Sequence, residues 1–225
     1  MSGSVRLRAD FLRHEVVDWT RLPWQPSPLP GVERRMLDRI GGEAARATSV
    51  VRYAPGAHFA PHEHPLGEEF LVLEGCFEDQ HGRYPVGSYV RNPPGSRHTP
   101  HSAIGCTIFV KLRQFAPEDG GQCAIDTTRG DWLPGLAAGL EVQPLHRFGD
   151  EQVALVRWAP GTRFAAHRHA GGEEILVLEG VFSDEFGDYP AGTWLRSPPA
   201  SEHCPFSRDG CLIWVKTGHL GRADG

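Results

Sequence analysis

Apolar residues in this chain come in short runs closed by glycine or proline, without the three-and-four spacing of an amphipathic helix. FLVLEG (70–75), SYVRNPP (88–94) and CTIFVKL (106–112) are examples. Their length and their β-branched and aromatic content suit pleated strands. Side chains alternate between the two faces of a strand, so Thr107, Phe109 and Lys111 share one face. Many short strands separated by turn signals predict an all-β sandwich or barrel. The one stretch that reads as a helix is 9–17.

The pattern then repeats. VRYAPGAHFAPHEHPLGEEFLVLEGCF at 51–77 returns as VRWAPGTRFAAHRHAGGEEILVLEGVF at 156–182. The offset of 105 holds without a gap from Val50/Leu155 to Lys111/Lys216, and 35 of the 62 aligned pairs are identical. Upstream the register shifts by three residues: Trp24-Gln-Pro26 matches Trp132-Leu-Pro134, and Gly31-Val-Glu33 matches Gly139-Leu-Glu141. The expected organisation is two tandem domains. An N-terminal extension over 1–23 has no counterpart in the second half. A first domain covers 24–112, a linker 113–131, a second domain 132–217 and a tail 218–225.

Composition narrows the function. The chain has 225 residues, 40% of them hydrophobic, which is enough to bury two small cores. Lys+Arg 23 against Asp+Glu 28 leaves a net charge of −5. That balance argues against the concentrated basic face of a nucleic-acid or anionic-membrane binder. No apolar run reaches the roughly 18 residues of a membrane span, and the first residues lack the apolar core of a signal peptide. Five cysteines, an odd number with no CxxC, fit reduced thiols. The expectation is a cytoplasmic protein without nucleic-acid or membrane partners.

Twelve histidines are the unusual count, and their placement carries the chemistry. His62 and His64 are two apart on a strand-like stretch, so both imidazoles leave the same face and can meet one ion. Glu68 follows after a turn, and His98 lies 34 residues beyond His64. The second half reproduces each element as His167, His169, Glu173 and His203. Three imidazoles and a carboxylate suit a divalent transition metal (Zn, Fe, Mn, Ni or Cu) without choosing among them. Up to two ions per chain are expected. Neighbouring Glu68 and Glu69 point to opposite faces of a strand, so only one of each pair, Glu68/Glu69 and Glu173/Glu174, can ligate.

These residues resemble the two motifs of the cupin superfamily. The first, G-x5-HxH-x3,4-E-x6-G, is met by Gly56, His62, His64, Glu68 and Gly75, and again by Gly161, His167, His169, Glu173 and Gly180. The second, G-x5-PxG-x2-H-x3-N, is met by Gly87, Pro93, Gly95 and His98, and by Gly192, Pro198 and His203. Ser102 and Ser207 replace its asparagine, and Ala200 replaces the second glycine in the later copy. The resemblance implies a bicupin: two jelly-roll β-barrels of six to eight strands, each with a metal near its mouth. The motif's spacing to Gly75 favours Glu68 over Glu69, and Glu173 over Glu174, as ligands.

Within cupins, the wording HxHxxGEE(F/I)LVLEG is most similar to the ChrR-type domain, a zinc-binding part of anti-sigma factors. Iron dioxygenases that cleave carbon–carbon bonds belong to the same neighbourhood. The ChrR sigma-binding domain carries His-x3-Cys-x2-Cys, which this chain lacks, so direct sigma-factor sequestration is not expected. Three roles follow: a metal-dependent dioxygenase on a small oxygenated compound, a zinc-binding regulatory module with a protein partner, or a structural zinc protein. A monomer or a homodimer would serve any of them.

Around the ligands, Glu69, Glu174 and His101 are candidates to hydrogen-bond the ligands or to replace one. For the aromatics barrel packing is the favoured reading, and the alternative is that some of Tyr53, Phe109, Lys111, Trp158, Trp214 and Lys216 line the pockets. A barrel-interior Lys111 could anchor an anionic substrate. The halves differ where His58 faces Arg163, His101 faces Phe206 and Glu63 faces Arg168. Under the pocket-lining alternative, the shift to tryptophan makes the second pocket the smaller and more apolar one.

Overall fold

In the computed structural model, which describes residues 5–221, nearly all regular structure is β. Two compact units emerge, one made of 5–9 and 22–130, the other of 10–21 and 131–221. Among the described residues no helix is long and apolar enough to cross a membrane. The stretch read as a helix, 9–17, instead turns at 11–13 and enters the strand Glu15–Asp18, followed by the short 3-10 turn Trp19–Arg21. Two adjacent valines at its centre favour an extended backbone over a helix.

The main sheet of the first unit runs Val5–Leu7, Val32–Gly41, Ala45–Tyr53, Cys106–Leu112, Glu68–Asp79, Ser88–Asn92, Cys123–Asp126, with antiparallel neighbours throughout. Glu68–Asp79 curls on to pair with Gly82–Pro85 and His101–Ser102, which starts the opposite wall of the barrel. The inner face packs Val32, Tyr53, Phe70, Val72, Phe77, Val90, Ile108 and Val110 into one cluster. From the second strand on, the second unit repeats this order with Leu140–Phe148, Glu151–Trp158, Cys211–Thr217, Glu173–Asp184, Thr193–Ser197 and Glu15–Asp18. Leu133–Pro134 pairs with Leu140–Phe148 as Gln25–Pro26 does with Val32–Gly41. Its inner cluster holds Leu140, Trp158, Ile175, Val177, Phe182, Leu195 and Ile213.

The last strand of each sheet corrects the expectation that 1–23 has no counterpart. Glu15–Asp18 pairs with Thr193–Ser197, and Cys123–Asp126 pairs with Ser88–Asn92. The two segments match at an offset of 108, and both end in Asp-x-Thr-Arg. Asp18 Oδ1 accepts from Thr20 N and Oγ1 at 3.0 and 2.5 Å, and Asp126 Oδ1 from Thr128 N and Oγ1 at the same distances. The duplicated unit therefore opens with a strand, and in each copy that strand completes the sheet built by the other copy.

Two glycine positions explain motif spacing. Gly75 and Gly180 have φ of 70° and 69°, and a Cβ there would collide with the carbonyl oxygen of Gly105 or Gly210. Only glycine lets the long strand pass its neighbour so closely, next to the register shift that bends it around the barrel. The second-motif glycine differs. Gly95 has φ 81° with open space where a methyl group would sit, and Ala200 takes the same left-handed conformation at φ 67°. Ala200→Gly is thus expected to stabilise the protein by about 0.5–1 kcal/mol by relieving this conformation. A rise in the urea midpoint checks it, and a fall would show that the alanine is not strained.

Candidate metal centres

The histidines of the first unit come from facing strands. His62–His64 pairs with Ser96–His98 so that His98 lies opposite His62 and Ser96 opposite His64. Alternation sends His62 and His64 inward and turns Glu63 outward, where it binds Arg97 at 2.6 Å. The ligand-type nitrogens of His62, His64 and His98 all lie within 4.8 Å of one another. Glu68, first residue of the long strand, puts Oε2 3.5 Å from Nε2 of both His64 and His98. In the second unit His167, His169 and His203 converge within the same 4.8 Å limit. Glu173 stands 3.6 Å from both His169 and His203 Nε2.

Polar contacts on the far side of the rings orient them. His62 Nδ1 lies 3.0 Å from Ala60 O and His167 Nδ1 3.0 Å from Ala165 O. A carbonyl only accepts, so Nδ1 carries the proton and the Nε2 lone pair faces the cluster. His98 Nδ1 meets Asp79 Oδ2 at 3.2 Å, and His203 Nδ1 meets Asp184 Oδ2 at 3.6 Å. Asn92 Nδ2 donates to Glu68 Oε2 at 3.0 Å, fixing the carboxylate.

Burial lowers the pKa of His64, and it pushes His169 down to about 4 with help from the charge of His203. Burial also opposes charge on His98 and His203, but their bonds to Asp79 and Asp184 outweigh it and raise both. Glu173 is raised to about 7 by burial.

Asp79 and Asp184 were missed in the sequence, although they are an identical pair at the repeat offset of 105. Each also accepts from a tyrosine, Tyr84 at 3.3 Å and Tyr189 at 2.9 Å. Residues that orient a metal-binding histidine typically change affinity by about 10–100-fold when lost. Asp79→Asn should weaken metal binding in the first unit by that order while leaving the second unchanged, as read by competition with a chelator. Equal affinity in the variant would reduce Asp79 to a packing role.

Several expected neighbours are elsewhere. Glu69 and Glu174 lie on the other face of the long strand and do not touch the histidine clusters. Glu69 Oε2 accepts from Arg91 at 2.6 Å and Tyr89 at 2.7 Å, and Glu174 Oε2 lies 2.6 Å from His219 Nε2. His101 pairs with His58 at the strand edge, and its Nδ1 lies 3.4 Å from Thr99 O. The cavity-facing side of Cys106–Leu112 is Ile108 and Val110, so Phe109 and Lys111 are not pocket residues. Lys111 Nζ is buried against Thr48 Oγ1 at 2.9 Å. Trp214 and Lys216 are likewise buried away from the second cavity, with Lys216 Nζ 2.9 Å from Glu151. Tyr53 and Trp158 do line their cavities.

Both clusters open into cavities. His62, His64 and Glu68 border one of about 430 Å³, and His167, His169, Glu173 and His203 border one of about 1140 Å³. The second is the larger, which corrects the size order read from the tryptophans. Trp194 and Trp214 are buried on the sheet's other face and take no space from it.

Two barrels of this topology, each with a histidine cluster on facing strands beside a cavity, define a tandem cupin protein. The ChrR cupin-like domain family matches the chain twice, over residues 12–116 and 121–221. The chain belongs to that family. No curated protein matches it by sequence.

Solved structures share the fold at low identity. A candidate dioxygenase from Nostoc punctiforme PCC 73102 superposes with a TM-score of 0.77 at 16% identity, covering 94% of this chain and 85% of that one. A candidate glyoxylate-induced protein from Pseudomonas aeruginosa gives 0.74 at 14% identity, covering 94% and 91%. A variant of the oxalate decarboxylase of Bacillus subtilis gives 0.62 at 13%, covering 93% and 78%.

Proposed function

We propose that this chain is a metal-dependent dioxygenase acting on a small oxygenated compound, with up to two divalent transition ions as cofactors. The observation that carries the reading is the convergence, in each unit, of three imidazoles and a carboxylate in a cluster that borders a cavity, through His62, His64 and Glu68 in the first unit and through all four residues in the second. His62, His64, His98 and Glu68 would hold one ion, and His167, His169, His203 and Glu173 the other.

The donor set fits such an ion. His64 and His98 place Nε2 atoms 2.9 Å apart, and His169 and His203 place theirs 3.1 Å apart. Two nitrogens each about 2.1 Å from one ion stand about 3.0 Å apart at a right angle and about 3.4 Å apart at the tetrahedral angle. The observed spacings are close to these values, so each set of residues could hold one ion.

A redox metal held there would supply Lewis acidity and redox chemistry toward O2 and substrate. The chain's own part is positional. Ala60 and Asp79 keep His62 and His98 aimed at the centre, and Asn92 keeps Glu68 there. Tyr53 and the apolar barrel wall restrict water around a bound compound. In the reaction both atoms of O2 enter the substrate as a carbon–carbon bond breaks. Likeness in fold to the Nostoc protein supports this class by analogy alone.

Elemental analysis of protein purified anaerobically without added metal tests the reading, followed by oxygen-uptake screening. Iron or manganese with substrate-dependent O2 consumption is the expected result. Two tightly held zinc ions without turnover would replace it with the regulatory or structural zinc role, in which a protein partner is sought instead of a substrate.

A further inference from the structure

The wall of the first cavity away from its histidines is basic. Arg34 and Arg39, from the strand Val32–Gly41, border it together with Arg113. Both strand arginines turn to one carboxylate, that of Glu43 in the hairpin turn at 42–44. Arg34 grips it with both ends of its fork, Nη1 to Oε2 at 3.0 Å and Nη2 to Oε1 at 3.1 Å. Arg34 Nε is buried and has no hydrogen-bond partner among the described residues. Arg39 donates to the carbonyls of Gly42 and Glu43, and stands 3.9 Å from the Glu43 carboxylate. Burial first, and then the neighbouring charge of Arg34, lower the pKa of Arg39.

Other carboxylates at this cavity are already engaged, Glu63 by Arg97 and Glu68 by Asn92. Glu43 is 55% exposed, and an ion pair that wet contributes little to stability. It is cheap to displace.

We propose that the first cavity binds a small carboxylic acid, its carboxylate held by Arg34 and its other oxygens at the histidine cluster, and that Glu43 occupies the Arg34 fork until the acid arrives. The part played by the histidine cluster rests on the metal reading above. The class follows from geometry: Glu43 shows that a planar carboxylate satisfies this fork at two points. A cavity of about 430 Å³ suits a compact ligand.

The second cavity lacks this arrangement. The ladders align Val32/Tyr53 with Leu140/Trp158, so Val142 stands where Arg34 does. Arg147, the counterpart of Arg39, is exposed and off the cavity wall, and Gly218 replaces Arg113. The two cavities of one chain therefore select different ligands.

Calorimetry on the metal-loaded full chain tests this with salicylate and its neutral amide, salicylamide. Salicylate should bind at least about tenfold more tightly than the amide. Arg34→Gln should remove that preference while leaving amide binding unchanged, and Glu43→Gln should tighten salicylate several-fold, both with wild-type thermal melting. Salicylate binding should survive His167→Ala plus His169→Ala. No salicylate binding, equal affinity for acid and amide, indifference to Arg34→Gln, or no tightening in Glu43→Gln would overturn the proposal. Failure of the metal reading looks different: no metal would be found, yet salicylate binding would still depend on Arg34.

Discussion

Replacing Arg91 with leucine is expected to destabilise the first unit by about 3–5 kcal/mol, the cost of breaking a buried ion pair by removing one partner. Arg91 is fully buried, with Nη1 2.6 Å from Glu69 and Nη2 2.6 Å from Asp119. Its guanidinium also lies over the Phe115 ring at 4.0 Å. The substitution strips two buried carboxylates of the cation that both engage, in surroundings where water cannot replace it.

The pair Arg97–Glu63 is the matched control, because its distance is also 2.6 Å while its side chains are 76% and 42% exposed. Arg97→Ala should cost under about 1 kcal/mol. Urea unfolding of both variants decides the matter. Equal losses would mean that burial does not set the strength of these pairs.

The same residues show why part of the site could be read from sequence and part could not. The convergence of the histidines was legible because strand alternation and the distal histidine are local or repeated features, and both survive duplication unchanged. The pocket-lining alternative for Phe109, Lys111, Trp214 and Lys216 did not hold, for a physical reason. Alternation sorts Thr107, Phe109 and Lys111 from Ile108 and Val110, but every residue from Cys106 to Lys111 is buried. Neither face carries the run of exposed polar residues that marks the outside of a strand. Lys111 could thus be read as an interior polar group and Glu69 as a partner of the ligands, yet both sit on the face turned away from the histidine-lined cavity.

The opening strands were hidden for another reason. Glu15–Asp18 and Cys123–Asp126 share only the aspartate of their four residues, so pairing geometry conserves the backbone while side chains drift. Glu43 and Arg34 were invisible as a pair because they meet across a hairpin that the second half closes more tightly, at Gly149-Asp150.

Substituting His62 and His64 together with alanine should remove about one equivalent of metal and leave the second centre loaded. Each cluster draws its three imidazoles and its carboxylate from one repeat, and the aspartates that orient the distal histidines come from the same repeat. Losing two of three nitrogen donors leaves one imidazole and one carboxylate, too few to hold a transition ion against water. His167→Ala plus His169→Ala should be the mirror image, and the four substitutions together should yield metal-free protein.

Because an ion binds the folded state and stabilises it by mass action, each double variant should also melt earlier than the loaded parent. Excess chelator should then shift the parent more than either variant. Metal content unchanged by both double substitutions would place the ions elsewhere on the chain. Loss of both equivalents from one double variant that is still folded by circular dichroism would show that the centres are coupled rather than independent copies.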